Sequence, residues 1–493
     1  MSFVEVRFLL FVATVILLYY VLPKKAQWVV LLCASVVFYG TYGWEKLPFI
    51  LISSLLAWFS AMYMERTHVK THDSAEAKQK NKPVLVFTVI LLAGLLLYAK
   101  VGTWVAESVA AAFKLQPSGA SQAIVALGVS YYTFSLISYV VDVYWRKEVA
   151  ETNYFRLLLF AIYFPKVLQG PISRHTHVAS QLREHHQFDY KQLCYGLQRM
   201  IWGYFKKLVI ADRLAILVRT VFAVPEQYSG SVHMVAMIFA TLQLYCDFSG
   251  CMDIVSGISQ TLGLQLEENF RHPFFSKTVV ELWRRWHATL GSWFRDYIYI
   301  PLGGSRCGKW MRIRNVMVVW IVTGLWHGPD LPYTVWGIYW GILVSCSGLF
   351  GSLLKKLSTM LKIDTDKPSW KVVQMFRTFA LFVCGWIPVF PGTLEKSLLI
   401  TKKMLFDFNV ANLIDGTLFT LGLDRWNFIV SIVCVLVLWV IGFEQERGSV
   451  RDRIADCNIV VRWSIYYFSI IIILLFGIYG PGYDATTFIY MQF

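Results

Sequence analysis

"VLVFTVILLAGLLLYA", residues Val84–Ala99, runs through a full apolar stretch without a single charge. As a helix rising about 1.5 Å per residue it covers about 24 Å, close to the ~30 Å hydrocarbon core of a bilayer. Comparable runs recur at about 7–22, 27–43, 47–63, 122–141, 155–169, 232–246, 333–350, 374–390, 428–443 and 464–479. They are continuous rather than alternating, which excludes a β-barrel. Of the 493 residues 56% are hydrophobic and 16% aromatic, with a mean hydropathy of +0.52. A soluble interior could not hide that much apolar surface. With further helical stretches around 196–223 and 315–326, the pattern predicts an all-α integral membrane protein with roughly 10–12 spans.

The net charge of +15 does not point to nucleic acid, because the basic residues cluster in short gaps between apolar runs. Lys24 and Lys25, the 64–83 loop (Arg66, Lys70, Lys78, Lys80, Lys82) and the 355–371 loop (Lys355, Lys356, Lys362, Lys367, Lys371) read as cytoplasmic. The first two agree if the N-terminus is extracytoplasmic. The run Phe8–Leu22 lacks a small-residue cleavage site and is followed at once by Pro23, so it reads as a retained span. Nine scattered cysteines form no CxxC pair, so neither a disulfide framework nor a zinc site is indicated.

The middle third is different. From about 165 to 330 the apolar runs are broken by "FPKVLQGPISR", "YCDFSGCMDI", "LEENFRHPF", "PLGGSRCGKW" and "WHGPDLPY". Such breaks survive at membrane depth only where protein or a water-filled cavity satisfies the freed backbone groups. We therefore expect one integral domain over 1–493, with a packed core at 125–345 flanked by spans at 1–124 and 346–493. Within the core, "ELWRRWHATLGSWFRDYIYIPLGG" (Glu281–Gly304) mixes charge with tryptophan. On a single helix over 281–297, Glu281, Arg284, Arg285, Ala288, Ser292, Arg295 and Asp296 share one face. Trp283, Trp286, Leu290, Trp293 and Tyr297 share the other, and His287 projects beside Trp283 and Phe294. Glu281 and Arg285 form an i,i+4 pair of opposite charge.

His287 alone is satisfied by an ordinary structural role. A second histidine, His327, ends the apolar run of "WIVTGLWHGPDLP" where Gly328, Pro329 and Pro332 break the helix. An ionisable group there is a functional hypothesis by default. At low dielectric its charged form is disfavoured, which leaves a neutral base. The acid-free loop carrying Arg306, Lys309, Arg312 and Arg314 reads either as an ordinary cytoplasmic loop or as a docking surface for an anionic donor. Asp247 and Asp253 read as helix–helix hydrogen-bonding acids. The run "RHTHVASQLREHH" (His175, His177, His185, His186) lacks carboxylate or cysteine spacing for a metal, and none is expected.

The ordered segments "ELWRRWHATLGSWFRDYIYIPLGG" and "VTGLWHG", with "FPKVLQGPISR", "YCDFSGCMDIVSGISQTLGL", "ENFRHPF" and the terminal "FIYMQF", resemble the membrane-bound O-acyltransferase (MBOAT) family, in its alginate O-acetyltransferase-like bacterial branch. The resemblance implies broken or re-entrant helices around a central tunnel, open to a cytosolic thioester donor and an extracytoplasmic hydroxyl acceptor. It implies that His327 is catalytic, with His287 as the second polar position. Trp286, Trp326, Arg284, Arg285, Asp296, Arg306, Lys309 and Arg312 are candidate substrate contacts beside them; Arg284, Arg285 and Asp296 also suit structural ion pairs. It further implies acetyl-CoA or another acyl thioester as co-substrate, no bound cofactor, and an SGNH-type extracytoplasmic partner that completes transfer to polymer.

"YIYIPLGG" favours polysaccharide O-acetylation over D-alanyl transfer from a carrier protein to a cell-wall polymer. From other classes, a transporter or flippase of an envelope precursor fits the broken helices as well, and a non-catalytic scaffold is the remaining rival. In the expected mechanism His327 takes the acceptor proton as general base, or carries the acyl group itself. Backbone N–H groups after the 327–329 break are candidate oxyanion donors.

Overall fold

In a computed structural model, residues 1–71, 73–112, 128–480 and 483 are described; positions 122–127 of one expected span and the terminal "FIYMQF" lie outside them. Among the described residues the secondary structure is helical, with no strand. Two compact units divide the chain, Met1–Met200 with Met252–Glu267, and Ile201–Cys251 with Glu268–Asp484.

The first unit contains α1 (Val6–Val21), α2 (Gln27–Gly40), α3 (Leu47–Lys70), α4 (Ser74–Ala112), α5 (Val129–Tyr144), α6 (Tyr154–Ile162), α7 (His175–Arg183) and most of α8 (Tyr190–Tyr204). Basic positions 64–70 and 74–83 are helical, so the expected 64–83 loop shrinks to the turn between α3 and α4. The apolar run at 155–169 is helical only to Ile162 and then turns through 164–169, because "FPKVLQGP" puts proline and glycine where a helix would continue. Asn153 caps α6 by accepting from the Phe155 amide at 2.9 Å. His175 pairs with Glu148, and Arg199 with Asp253 at 2.9 Å.

The second unit contains α9 (Asp212–Ala223), most of α10 (Gly230–Thr261), α11 (Val279–Arg285), α12 (Ala288–Phe294), α13 (Lys309–His327), α14 (Leu331–Met360), α15 (Pro368–Gly385), α16 (Leu394–Phe406), α17 (Arg425–Arg447), α18 (Val450–Asp456) and α19 (Ile459–Phe476). α14 continues to Met360 and α15 begins at Pro368, so the expected 355–371 loop is the short link between them.

Six described stretches are long and apolar enough to cross a membrane: Trp44–Lys70, Ser74–Lys100, Gly230–Thr261, Leu331–Gly351, Arg425–Arg447 and Ile459–Phe476. The protein is a multi-pass membrane protein. α1 is a shorter apolar helix, and the remaining apolar runs fold as shorter or broken helices.

α13 and α14 form an antiparallel pair, and their contact explains how closely they approach. A side chain at Gly324 would strike the Tyr333 carbonyl, and one at Gly337 would lie 2.5 Å from the Trp320 carbonyl oxygen. A Cβ at Gly341 would lie 2.7 Å from the Met317 sulfur. Gly337 and Gly341 are the two small positions of a GxxxG motif, which lets two backbones pack where lipid offers no hydrophobic drive.

Two π-helical turns, Phe205–Ala211 and Arg295–Tyr299, interrupt the α-helical order. The first buries Lys207, whose ammonium meets Asp247 at 2.6 Å and Asp212 at 2.9 Å. The Tyr483 hydroxyl donates to Asp212 at 2.8 Å. One buried cation thus joins α9, α10 and the π turn. Removing it leaves carboxylates buried without their cation, at a cost of about 3–5 kcal/mol. Lys207→Met is expected to lower the melting temperature of the detergent-solubilised protein sharply, while Asp212→Asn, which keeps Lys207 opposite Asp247, lowers it less. Differential scanning fluorimetry measures both.

Candidate active site

The single helix expected over 281–297 is broken in two. Thr278 caps α11 by accepting from the Glu281 amide at 3.1 Å, and Glu281 accepts from the Lys277 amide at 2.9 Å. α11 then stops at Arg285, and His287 takes up a left-handed conformation (φ 45°) that L-residues adopt at a cost. α12 starts immediately after it. The break rotates His287 away from the positions an unbroken helix would give. Its ring lies 4.8 Å from Phe248 and 6.2 Å from Trp326, centroid to centroid.

The break is held by Asn269, which lies inside the "ENFRHPF" segment but carries no signal of this role in the sequence. Its side-chain oxygen accepts from the Thr289 amide at 3.1 Å and the Thr289 hydroxyl at 2.6 Å, and lies 3.2 Å from His287 Nδ1. Its backbone carbonyl accepts from the Ala288 amide at 3.0 Å. The Thr289 amide can only donate, so the oxygen of the Asn269 amide faces this cluster. His287 Nδ1 therefore carries the hydrogen, and Nε2 carries the lone pair. The imidazole is 3% exposed, and burial pushes its pKa down to about 3. His287 is neutral throughout the physiological range.

His327 ends α13, buried, with its ring 4.7 Å from Trp326, 5.0 Å from Trp336 and 6.3 Å from Tyr333. Trp326 is thus in ring-contact range of both imidazoles. Gly328 is extended (φ −172°), and its amide donates to the Gly324 carbonyl at 3.1 Å. Pro329 has no amide hydrogen, and the next backbone amides after the break are those of Asp330 and Leu331, at the start of α14. Behind the histidines lies an aromatic layer. Trp283 contacts Trp320, Trp336 and Trp340 at 4.7, 5.7 and 4.9 Å, and Trp336 contacts Trp386 at 5.4 Å. Trp286, 1% exposed, packs on Phe382 at 4.8 Å and Phe270 at 5.1 Å. Each such pair adds about 0.5–1.5 kcal/mol beyond its area.

The charged candidates lie elsewhere. Arg285 pairs with Glu281 at 2.9 Å and Glu446 at 2.5 Å, and Asp296 pairs with Arg295 at 2.8 Å. Both are engaged in ion pairs. Arg284, Arg306 and Lys309 are exposed and Arg312 is half-buried; among the described residues, no contact joins any of them to His287 or His327. Arg314 hydrogen-bonds Asn315 at 2.8 Å.

Residues 146–386 match the family model described as membrane-bound O-acyltransferase. Over 451 residues the chain is 32% identical to the probable alginate O-acetylase AlgI of Pseudomonas fluorescens, covering 90% of this chain and 83% of that protein. The chain belongs to the membrane-bound O-acyltransferase family. As an MBOAT protein it is an O-acyltransferase. It is 30% identical to the peptidoglycan O-acetyltransferase of Helicobacter pylori over 57% of each chain. Against the teichoic acid D-alanyltransferase of Bacillus subtilis the identity is 26%, over 54% of this chain and 68% of that one.

Two outcomes follow from the His287 cradle. Asn269→Leu removes three side-chain contacts and leaves the Thr289 donors buried, costing about 1–3 kcal/mol; kcat is expected to fall with KM little changed, read by steady-state acyl transfer. The lowered pKa of His287 means that between about pH 6.5 and pH 3 the unfolded chain binds a proton that the folded protein does not. Stability from this group is present above pH 6.5 and lost as pH falls, by about 1.4 kcal/mol per unit. His287→Gln should flatten the fall in melting temperature between pH 7 and pH 5.

Proposed function

We propose that the protein moves an acetyl group from a cytosolic acyl thioester across the membrane to a hydroxyl of an extracytoplasmic, cell-envelope polysaccharide, with His327 as general base. The observation that carries this reading is the placement of His327: a buried imidazole at a helix break, walled by Trp326, Trp336 and Tyr333. An imidazole so enclosed is held away from bulk water, so its proton transfers are not levelled by solvent.

His327 accepts the proton of the acceptor hydroxyl as that oxygen bonds to the thioester carbonyl carbon. The carbon–sulfur bond then breaks, and the departing thiolate recovers the proton from the imidazolium. His287, oriented by Asn269, offers its Nε2 lone pair to the donor hydrogen of a bound substrate and thereby positions it. The relatives named for acetylation of alginate and of peptidoglycan support an acetyl group and a polysaccharide acceptor, as does the "IPLGG" segment at 300–304. The donor in this reading is acetyl-CoA or another acyl thioester that enters from the cytosolic side. The N-terminus is extracytoplasmic in the bacterial inner membrane, and an SGNH-type partner completes transfer to polymer.

The test is transfer of labelled acetyl from acetyl-CoA by purified protein in nanodiscs, with acceptor polymer and partner supplied. General-base loss is worth on the order of 10²–10⁴-fold, so His327→Ala should abolish measurable thioester cleavage without lowering the melting temperature. His287→Ala should retain part of it. A wild type that never cleaves the thioester, or a His327→Ala protein with full turnover, would overturn the assignment.

A further inference from the structure

The aromatic layer behind His327 is rich in hydrogen-bond donors and poor in acceptors. Trp336, Trp340 and Trp386 are 1%, 0% and 2% exposed. Among the described residues, their indole nitrogens and that of Trp283 are buried without a hydrogen-bond partner. An indole N–H can only donate. A buried donor left unsatisfied is costly, and a run of them in one layer is unusual for a native interior. At Trp336, among the described residues, the N–H has no protein acceptor, and it can donate to a ligand that brings an acceptor oxygen with it.

Trp336 is the member of this group that meets the base. Its ring lies 5.0 Å from that of His327, nearly perpendicular at 78°, and 5.4 Å from Trp386. Gly324 and Gly337 bring α13 and α14 together on either side of it, which fixes Trp336 relative to the end of α13. The Gly328 amide, beside His327, is engaged, since it donates to the Gly324 carbonyl.

We propose that the Trp336 indole N–H is the oxyanion donor of the acyl transfer, binding the carbonyl oxygen of the acyl thioester. As the acceptor oxygen bonds to the carbonyl carbon, the C=O π pair moves onto this oxygen and Trp336 donates to it. When the C=O re-forms, the carbon–sulfur pair leaves as thiolate and takes the proton held by His327. This assignment rests on the reading of His327 as base. It extends that reading by naming the group that meets the developing charge. Removing one such donor in other enzymes costs about 10²–10³ in kcat.

Trp336→Phe keeps an aromatic ring and deletes the N–H. The expected result, in the same labelled-acetyl assay, is a fall in kcat of about 10²-fold with KM for the thioester changed by less than about threefold. The melting temperature should fall only modestly, because the volume left by the smaller ring is partly offset by removal of an unsatisfied donor. Trp340→Phe deletes an equally buried N–H outside ring contact with His327 and should leave kcat unchanged. Replacement of Trp336 by its benzothienyl isostere, in which sulfur stands for the N–H, keeps the shape of the indole if the phenylalanine protein fails to fold. Retention of wild-type kcat by either Trp336 variant overturns the proposal, as does an equal loss in Trp340→Phe, while an inactive wild type would instead sink the reading of His327.

Discussion

The second unit is organised around one amide oxygen. Asn269 gathers the Thr289 amide, the Thr289 hydroxyl and the His287 ring on a single atom, and so makes a helix break stable where the chain would otherwise continue as one amphipathic rod. Without the break, Trp286 could not enter the layer with Phe270 and Phe382, and His287 could not reach Phe248. The strain of a left-handed histidine is sustained because three donors over-determine it. The same oxygen also sets the tautomer, so the chemistry available at Nε2 is a consequence of the backbone turn.

Much of this architecture is legible in the amino-acid sequence itself. The long apolar runs dictate the membrane class because nothing but lipid accommodates them. His327 stands out because a polar, titratable residue sits between an apolar helix and a Gly–Pro stop. The i,i+4 pair of Glu281 and Arg285 follows from helical spacing alone and exists at 2.9 Å. What stays hidden shares one cause. The break at Trp286–His287 has no proline or glycine, because it is imposed by a partner eighteen positions upstream, and periodicity cannot report a contact of that kind. Asn269 lies inside "LEENF", but its role depends on tertiary placement. Lys207 stands in a stretch that reads as ambiguous helix, and only the π turn and the two aspartates explain a buried cation there. The basic segments at 64–83 and 355–371 read as loops if charge is taken to end a helix, whereas lysine and arginine extend helices readily.

The aromatic layer and the glycine seam work together. In a bilayer, helices gain little from leaving lipid, so association depends on close contact and on polar pairs. α13 and α14 use both extremes: bare backbone at Gly324, Gly337 and Gly341 on one side, and large rings from Trp320, Trp336 and Trp340 on the other. The glycines let the rings reach inward from two helices that are themselves nearly touching.

That seam also limits how the site can diverge. Where a glycine already meets the neighbouring helix, no smaller residue exists to widen the space between them, and any larger one parts the helices. A descendant protein could not gain room along this seam. It would have to trim the rings, and each tryptophan exchanged for size would also surrender an N–H. In this layer ring size and hydrogen-bonding capacity therefore change together, and one cannot be adjusted without altering the other.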